Sequence, residues 1–125
     1  NKVIEGNEIL EAQKLVRDVH ISPELVDLVS RIVRATRAGQ GGSSYVNEWV
    51  RWGAGPRAGQ AMILTAKARA LLHGNFSVTS DDIQHVAFPV LRHRILINFK
   101  AEAEGVTSDD ITKHILNTVT LQKSL

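Results

Sequence analysis

Residues 56–74 have the sequence PRAGQAMILTAKARALLHG, which predicts a long helix with both of its ends marked. Pro56 suits the first helical position, because proline has no N–H to satisfy there and its φ angle is already helical. Gly74 is the expected stop, since glycine adopts the left-handed conformation at little cost. The residues expected on one face of this helix are Ala58, Ala61, Met62, Thr65, Ala68 and Leu72.

Two further helices are predicted before this one. The first covers residues 7–19, with Asn7 as its N-cap. The second begins at Ser22-Pro23-Glu24, which supplies a capping hydroxyl, a proline for the first position and an acid for the first turn. The apolar stripe of the second helix consists of Leu25, Leu28, Val29, Ile32 and Val33.

The residues between these helices and Pro56 are less regular. Residues 39–44, GQGGSS, predict a flexible loop. Residues 45–52 fit either a short helix or an extended segment, and the side chains expected to pack inward are Val46, Trp49 and Val50. Gly53-Ala54-Gly55 is expected to be the turn that leads into the helix at Pro56.

One helix-start signal occurs twice, as VTSDDI at residues 78–83 and again at residues 106–111. In each copy the threonine can cap the backbone N–H three residues later, and the aspartate there can bond back, as in a capping box. Each cap should contribute about 1 kcal/mol. The first copy predicts a helix that kinks or ends at Pro89, and the second predicts a last helix over about 108–121.

Residues 90–99, VLRHRILINF, could form a strand, but no pairing partner for a strand is evident in the sequence. Helix continuation followed by irregular chain is therefore favoured. The segments together give five or six helices joined by short loops. The predicted fold class is an all-α helical bundle.

The composition is that of one small globular domain. The chain has 125 residues, 43% of them hydrophobic and 22% charged, so a single domain over 1–125 is expected, with frayed ends at 1–7 and 122–125. It has no cysteine, which excludes a disulfide scaffold, a zinc ribbon and a thiol nucleophile and fits a cytoplasmic location. No run approaches the roughly 18 apolar residues of a membrane span. Because the chain begins at Asn1 and its only methionine is Met62, we expect a segment of a longer protein.

Most kinds of functional site find no support in the sequence. The glycines at 39–44 and 53–59 have neither the Gly-Lys-Ser/Thr ending of a phosphate-binding loop nor the spacing of a dinucleotide-binding loop. The five histidines include no His-x-x-x-His pair, so no metal site is predicted. Capping explains the paired aspartates, and no hydrolytic triad is evident. No catalytic residue is therefore assigned.

Arg57 is the residue that a purely structural explanation fits least well. It lies near the positive end of the helix that Pro56 opens, where a cation is unfavourable by about 0.3 to 1 kcal/mol. Helix N-termini bind anions, and a guanidinium there can grip a phosphate with paired hydrogen bonds. The alternative is a solvated arginine whose cost other contacts offset, and spacing alone favours that alternative.

Four stretches resemble, in order and in spacing, the C-terminal lid of MoxR-type AAA+ ATPases. They are WGAGPRA at 52–58, AKARAL at 66–71, VTSDDI at 78–83 and VLRHR at 90–94. Residues 19–28 and the pair Thr36-Arg37 match as well, so the resemblance extends over about residues 8–120.

This resemblance implies a helical lid that packs beside an ATP-binding α/β domain. Arg57 matches the family's sensor-2 arginine, which reaches the phosphates of ATP on that domain and links the state of the nucleotide to the lid. Gly53, Gly55 and Pro56 match the turn that aims the arginine. The family usually has serine where this chain has Gly55, which weakens the cap of the helix more than it affects the arginine.

The resemblance also carries expectations for the parent protein. The chain has neither a Walker A lysine loop nor Walker B carboxylates, so alone it is expected neither to hydrolyse ATP nor to bind it tightly. The parent is expected to be an ATP hydrolase that uses ATP and Mg²⁺, forms a hexameric ring and acts as a chaperone in protein maturation, with von Willebrand-A-domain proteins as partners. Arg92, His93 and Arg94 match a family element for which we expect a structural or interface role.

Two other functions stay open at this point. A small helical DNA-binding module could use Arg31, Arg34 and Arg37, but a formal net charge of +2 is low for a nucleic-acid binder. Those arginines also suit the negative end of a helix. A generic protein-interaction domain is the other alternative, and it predicts no ATPase activity when the upstream segment is present.

Overall fold

The computed structural model describes residues 6–39 and 43–124, whose backbone forms seven helices and one two-stranded sheet. In chain order the helices are α1 Gly6–Asp18, α2 Pro23–Ala35, α3 Ser44–Trp49, α4 Pro56–Leu72, α5 Ser80–Arg92, α6 Phe99–Glu104 and α7 Ser108–Ser124. The strands are β1 Val50–Trp52 and β2 Leu96–Ile97, paired antiparallel. The all-α class is confirmed, although five or six helices were predicted rather than seven.

Several predicted features fall partly outside the described residues. Of the ends expected to fray, residues 1–5 and 125 lie outside them, and so do residues 40–42 of the expected flexible loop. Helix α1 begins at Gly6, so Asn7 lies within the helix and is not its N-cap. None of the helices formed by the described residues combines the length and the apolar content that a bilayer crossing requires.

The predicted helix starts at Ser22 and in the two VTSDDI copies are confirmed. Ser22 caps α2, because its Oγ accepts the N–H of Leu25 at 3.3 Å. Both VTSDDI copies form reciprocal caps: Thr79 Oγ1 accepts the N–H of Asp82 at 3.3 Å and the Asp82 carboxylate accepts the N–H of Thr79 at 2.9 Å. The second copy repeats both bonds between Thr107 and Asp110, at 3.2 and 2.9 Å.

Helix α4 is central to the bundle and packs against α1, α2 and α5. The buried face of this helix agrees with the predicted one at Ala58 and Met62, but its other buried residues are Ala66 and Ala70. Thr65 is exposed and Leu72 is 87% exposed. Apolar residues surround most of α4, so the hydrophobic pattern did not single out one face. The face that is buried carries mostly alanine, which lets neighbouring helices approach closely.

The segment around Pro89 confirms one expectation and corrects another. Helix α5 does not end at Pro89 but continues to Arg92, as the favoured helix continuation predicts. Pro89 is exposed, so water can satisfy the carbonyl that its missing N–H leaves without a partner. The expectation of irregular chain farther on is wrong, because residues 96–97 form β2 and residues 99–104 form α6.

The strand partner that the sequence did not reveal is β1, far away in the chain. Val50 pairs with Ile97 and Trp52 with Leu96. Residues 45–52, for which helix and strand were both open, are helical up to Trp49 and extended from Val50. Asn98 then joins the two parts: its N–H bonds to the Trp49 carbonyl at 2.9 Å, and its side chain caps α6 by accepting the N–H of Ala101 at 2.9 Å.

Asp82 ties α5 to α4 through a buried carboxylate that is 3% exposed. Burial by itself would raise the pKa of Asp82, but the N–H of Thr79, the guanidinium of Arg69 and the hydroxyl of Thr79 outweigh it and hold the pKa below its ordinary value. A hydrogen bond from the N–H of Thr107 likewise lowers the pKa of Asp110.

These lowered pKa values predict acid sensitivity. A carboxyl whose pKa is depressed in the folded state stabilises the fold above its unfolded pKa of 3.8, and this stabilisation is lost as the pH falls through the lower folded value. We expect the unfolding midpoint to fall between about pH 5 and pH 2, and to fall less in Asp82→Asn, whose side chain has no charge to lose. Thermal unfolding of both proteins across this range measures the difference, and identical pH profiles would contradict it.

Candidate functional site

The turn that leads into α4 is held at one residue, Ala54, by two consecutive residues that follow α2. The buried hydroxyl of Thr36 accepts the N–H of Ala54 at 2.8 Å and donates to the carbonyl of Val33 at 2.6 Å. The Nε of Arg37 donates to the carbonyl of Ala54 at 3.1 Å. Both backbone polar groups of Ala54 are therefore bound by side chains, and its own side chain is buried.

Gly53 allows the turn to approach α2 this closely. A Cβ at this position would lie 2.6 Å from the carbonyl carbon of Thr36, nearer still to the Thr36 oxygen, and 2.8 Å from the Cα of Arg37. All three are backbone atoms, which cannot swing away as the end of a flexible side chain can. The predicted role of Gly53 in shaping the turn thus has a steric basis in the structure.

The N-terminus of α4 has no side-chain cap. Gly55 is the N-cap residue with extended backbone, and Pro56 occupies the first turn as predicted. The space around Gly55 is open, because a Cβ there would meet no atom within 4 Å. The serine that is usual at this position in the family would therefore fit without a clash.

Arg57 follows Pro56 in the first turn of α4, and its side chain is exposed. Among the described residues no aspartate or glutamate forms an ion pair with it. A guanidinium at a positive helix end that forms no ion pair within the described part of the chain carries a charge that faces solvent. This arrangement is suited to an external anion and would attract a phosphate group.

A cleft of about 390 Å³ opens beside this turn. Its walls include the backbone of residues 53–56 and the side chains of Arg37, Arg51 and Trp52. The part of the lining that the structure describes holds no acidic residue, and the Trp52 indole is 64% exposed. The surface around the start of α4 is therefore basic, with an aromatic ring at its side. The sequence analysis assigned no role to Arg51 and Trp52, although both directly precede the turn in the chain.

Arg92, His93 and Arg94 lie where α5 ends, and the hydrogen bonds of the two arginines go to α5 and α7. Arg92 binds the carboxylate of Asp109 through Nε and Nη2, both at 3.1 Å, and its carbonyl accepts the hydroxyl of Ser108 at 3.1 Å. Arg94 donates to the carbonyl of Val90 at 2.9 Å. The Arg92 contacts join α5 to α7, and the Arg94 bond stays at the end of α5, whereas Gly53, Gly55, Pro56 and Arg57 form one continuous turn.

The arginine row of α2 is already engaged in part. Arg31 forms an ion pair with Asp27 at 2.9 Å, and Arg37 binds the Ala54 carbonyl. A DNA-binding surface would need these guanidinium groups free for phosphates. The structure therefore gives the DNA-binding alternative no specific support.

Comparison with known proteins agrees with this arrangement. The model of the AAA lid domain family matches residues 43–115. Over 96% of its length the chain is 33% identical to the chaperone MoxR1 of Mycobacterium tuberculosis, and over 94% it is 30% identical to the uncharacterised protein YeaC of Bacillus subtilis. The crystal structure of a proposed ATPase from Cytophaga hutchinsonii superposes on 94% of the chain with a TM-score of 0.87 and 33% identity.

The chain spans about a third of the length of each of these proteins: 32% of MoxR1, 34% of YeaC and 36% of the Cytophaga protein. The family match runs from α3 through α6 into the first part of α7, and it includes the turn at 53–55 and both VTSDDI caps. The predicted resemblance to the lid of MoxR-type ATPases is thus confirmed, and the chain belongs to the AAA lid domain family.

Proposed function

We propose that this chain is the nucleotide-sensing lid of a MoxR-type AAA+ ATPase, in which Arg57 binds the phosphates of ATP held by an α/β core of the same protein. The observation that carries the proposal is the exposed guanidinium of Arg57, which has no carboxylate partner among the described residues and lies in the first turn of an uncapped helix. The similarity to the lid family and to MoxR1 supports it.

The chemistry proposed for Arg57 is electrostatic. In the transition state of phosphoryl transfer, negative charge is spread over the oxygens of the transferred group and develops on the leaving oxygen, and a guanidinium held beside them stabilises that charge. Hydrolysis itself would take place on the core, with Mg²⁺ held there. Binding of Arg57 to the phosphates would draw the start of α4 toward the core, so that loss of the γ-phosphate changes the angle of the lid.

The parent protein, in this proposal, is a ring-forming ATP hydrolase with a chaperone-like role in protein maturation. The chain supplies the lid and the sensing arginine, and the core supplies the nucleotide site. A hexameric ring and von Willebrand-A-domain partners are part of the proposal on the strength of the likeness to MoxR proteins. Arg92, His93 and Arg94 would keep the lid rigid, because the two arginines bind within the bundle.

Arg57→Ala tests the proposal in the full-length protein that carries this chain. We expect ATP turnover to fall about tenfold or more, because a charge-assisted contact to the reacting phosphate is lost. The unfolding midpoint should not change, since Arg57 is exposed and forms no ion pair among the described residues. Steady-state hydrolysis and thermal unfolding are measured on the same preparations.

Arg17→Ala is the matched control, because it removes an exposed arginine from the end of α1. Its turnover should equal that of the unmodified protein. Arg57→Lys keeps the charge but loses the planar fork of donors, so intermediate turnover is expected. If Arg57→Ala leaves both turnover and ATP affinity unchanged, the sensor role is wrong.

A further inference from the structure

The residues after α2 hold the turn before α4 at a point three residues from Arg57. Thr36 and Arg37 bind the N–H and the carbonyl of Ala54, at 2.8 and 3.1 Å. Both backbone polar groups of Ala54 are thus bonded, so the turn cannot rearrange at this residue without breaking one of these bonds. Only Gly55 and Pro56 separate the held residue from Arg57. The carbonyl of Gly55 accepts the N–H of Ala58 at 3.0 Å, and the ring of Pro56 fixes its own φ angle.

The Thr36 hydroxyl is itself fixed in place. It is fully buried and donates to the carbonyl of Val33 at 2.6 Å, so its lone pairs point toward Ala54. A buried hydroxyl that both donates and accepts in this way has a single useful rotamer. These hydrogen bonds thereby fix the turn relative to the end of α2. The close backbone approach at Gly53 leaves no empty space between the turn and the end of α2.

We propose that Thr36 and Arg37 are positioning residues for the nucleotide-sensing arginine: by holding Ala54 they set the direction in which Arg57 leaves the turn. This inference rests on the proposed function of Arg57. Thr36 is buried and cannot touch a nucleotide itself, so its effect on ATP passes through the turn. Misplacing a phosphate ligand by a fraction of an ångström is enough to slow a reaction severalfold.

Two substitutions at one position separate the hydrogen bond from packing. Thr36→Val keeps the shape of the side chain but loses the hydroxyl, whereas Thr36→Ser keeps the hydroxyl and loses only a methyl group. In the full-length protein we expect Thr36→Val to lower ATP turnover roughly threefold to tenfold and Thr36→Ser to stay near the unmodified value. Arg37→Met tests the second bond of the clamp at a partly exposed position, and the same direction of change is expected.

A second measurement does not depend on ATP. Hydrogen exchange of a peptide spanning residues 50–57 should speed up in Thr36→Val but not in Thr36→Ser, because the Ala54 N–H loses its acceptor only in the first variant. The double variant Thr36→Val/Arg57→Ala should turn over ATP no more slowly than Arg57→Ala alone, since a positioning residue has no effect once the positioned group is gone.

Equal losses in Thr36→Val and Thr36→Ser would mean that packing matters and not the hydrogen bond, which overturns the inference. Unchanged exchange at 50–57, or a double variant slower than Arg57→Ala, overturns it too. If Arg57→Ala slows turnover but Thr36→Val and Arg37→Met do not, only the positioning role fails. If Arg57→Ala has no effect, the proposed function fails, and the positioning role fails with it.

Discussion

Gly53→Ala is expected to lower the free energy of unfolding by about 2 to 3 kcal/mol, the cost of forcing one extra carbon into a filled space. The new Cβ would lie 2.6 Å from the carbonyl carbon of Thr36 and 2.8 Å from the Cα of Arg37. Relief of the overlap requires the turn and the end of α2 to separate. The bonds from Thr36 and Arg37 to Ala54 would then lengthen or break.

Gly55→Ala is the control for this prediction, because the residue is only two positions away and adds the same methyl group. Its Cβ would meet no atom within 4 Å, and its backbone is extended with a φ of −90°, which any residue adopts. Alanine is a poorer N-cap than glycine, but it also lowers the entropy of the unfolded chain, so the two effects nearly cancel. We expect a change within about 0.5 kcal/mol.

Urea unfolding of the two variants and the unmodified protein gives the comparison directly. A similar loss of stability in both variants would contradict the prediction. It would show that the loss comes from the reduced flexibility of the turn and not from the close approach at Gly53. Gly53→Ala should also lower ATP turnover in the full-length protein if the turn aims Arg57. If the turn contributes only to stability, ATP turnover should not change.

Arg69→Met is expected to lower the free energy of unfolding by about 2 to 3 kcal/mol, because it leaves a buried carboxylate without its cation. Arg69 extends from α4 to Asp82 at the start of α5, with 2.5 Å between Nη1 and Oδ1. The Asp82 side chain is 4% exposed, so water cannot replace the lost guanidinium. The Thr79 N–H and hydroxyl remain as donors, which keeps the expected loss below the roughly 3 to 5 kcal/mol of a fully broken buried pair.

Arg92→Met is the matched control, since it removes an arginine that pairs with the other VTSDDI copy. Arg92 and Asp109 are both well exposed, and exposed pairs contribute about 0 to 1 kcal/mol. Chemical unfolding at neutral pH should therefore separate the two variants clearly. Equal losses in Arg69→Met and Arg92→Met would show that burial of Asp82 does not set the strength of its ion pair.

The two VTSDDI copies show how far local sequence can be interpreted. Both were predicted to form capping boxes, and both do, because all the partners lie within three residues of each other. Their tertiary contacts differ although their sequences are identical. In the first copy Asp82 is buried against Arg69 of α4, whereas in the second Asp109 pairs with Arg92 at the surface and Asp110 is exposed.

The wrong expectations share a physical cause. The strand at 96–97 needs a partner at 50–52. The buried face of α4 is set by the helices that pack against it, among them α2 and α5. Contacts between residues so far apart in the chain leave no periodic signal in either segment taken alone. The proline within α5 likewise does not end the helix, because the packing of α5 against α4 and α7 offsets its local cost.

By itself the sequence was enough to place Arg57 in the first turn of a helix opened by Pro56, since helix starts depend on hydrogen bonds among four or five neighbouring residues. Only the tertiary structure decided that Thr36 and Arg37 hold Ala54, that Gly53 must lack a side chain, and that Arg57 stays exposed without a carboxylate partner among the described residues. The contacts at Ala54 join residues 17 and 18 positions apart in the chain, so their atoms meet only after α2 has packed against α4.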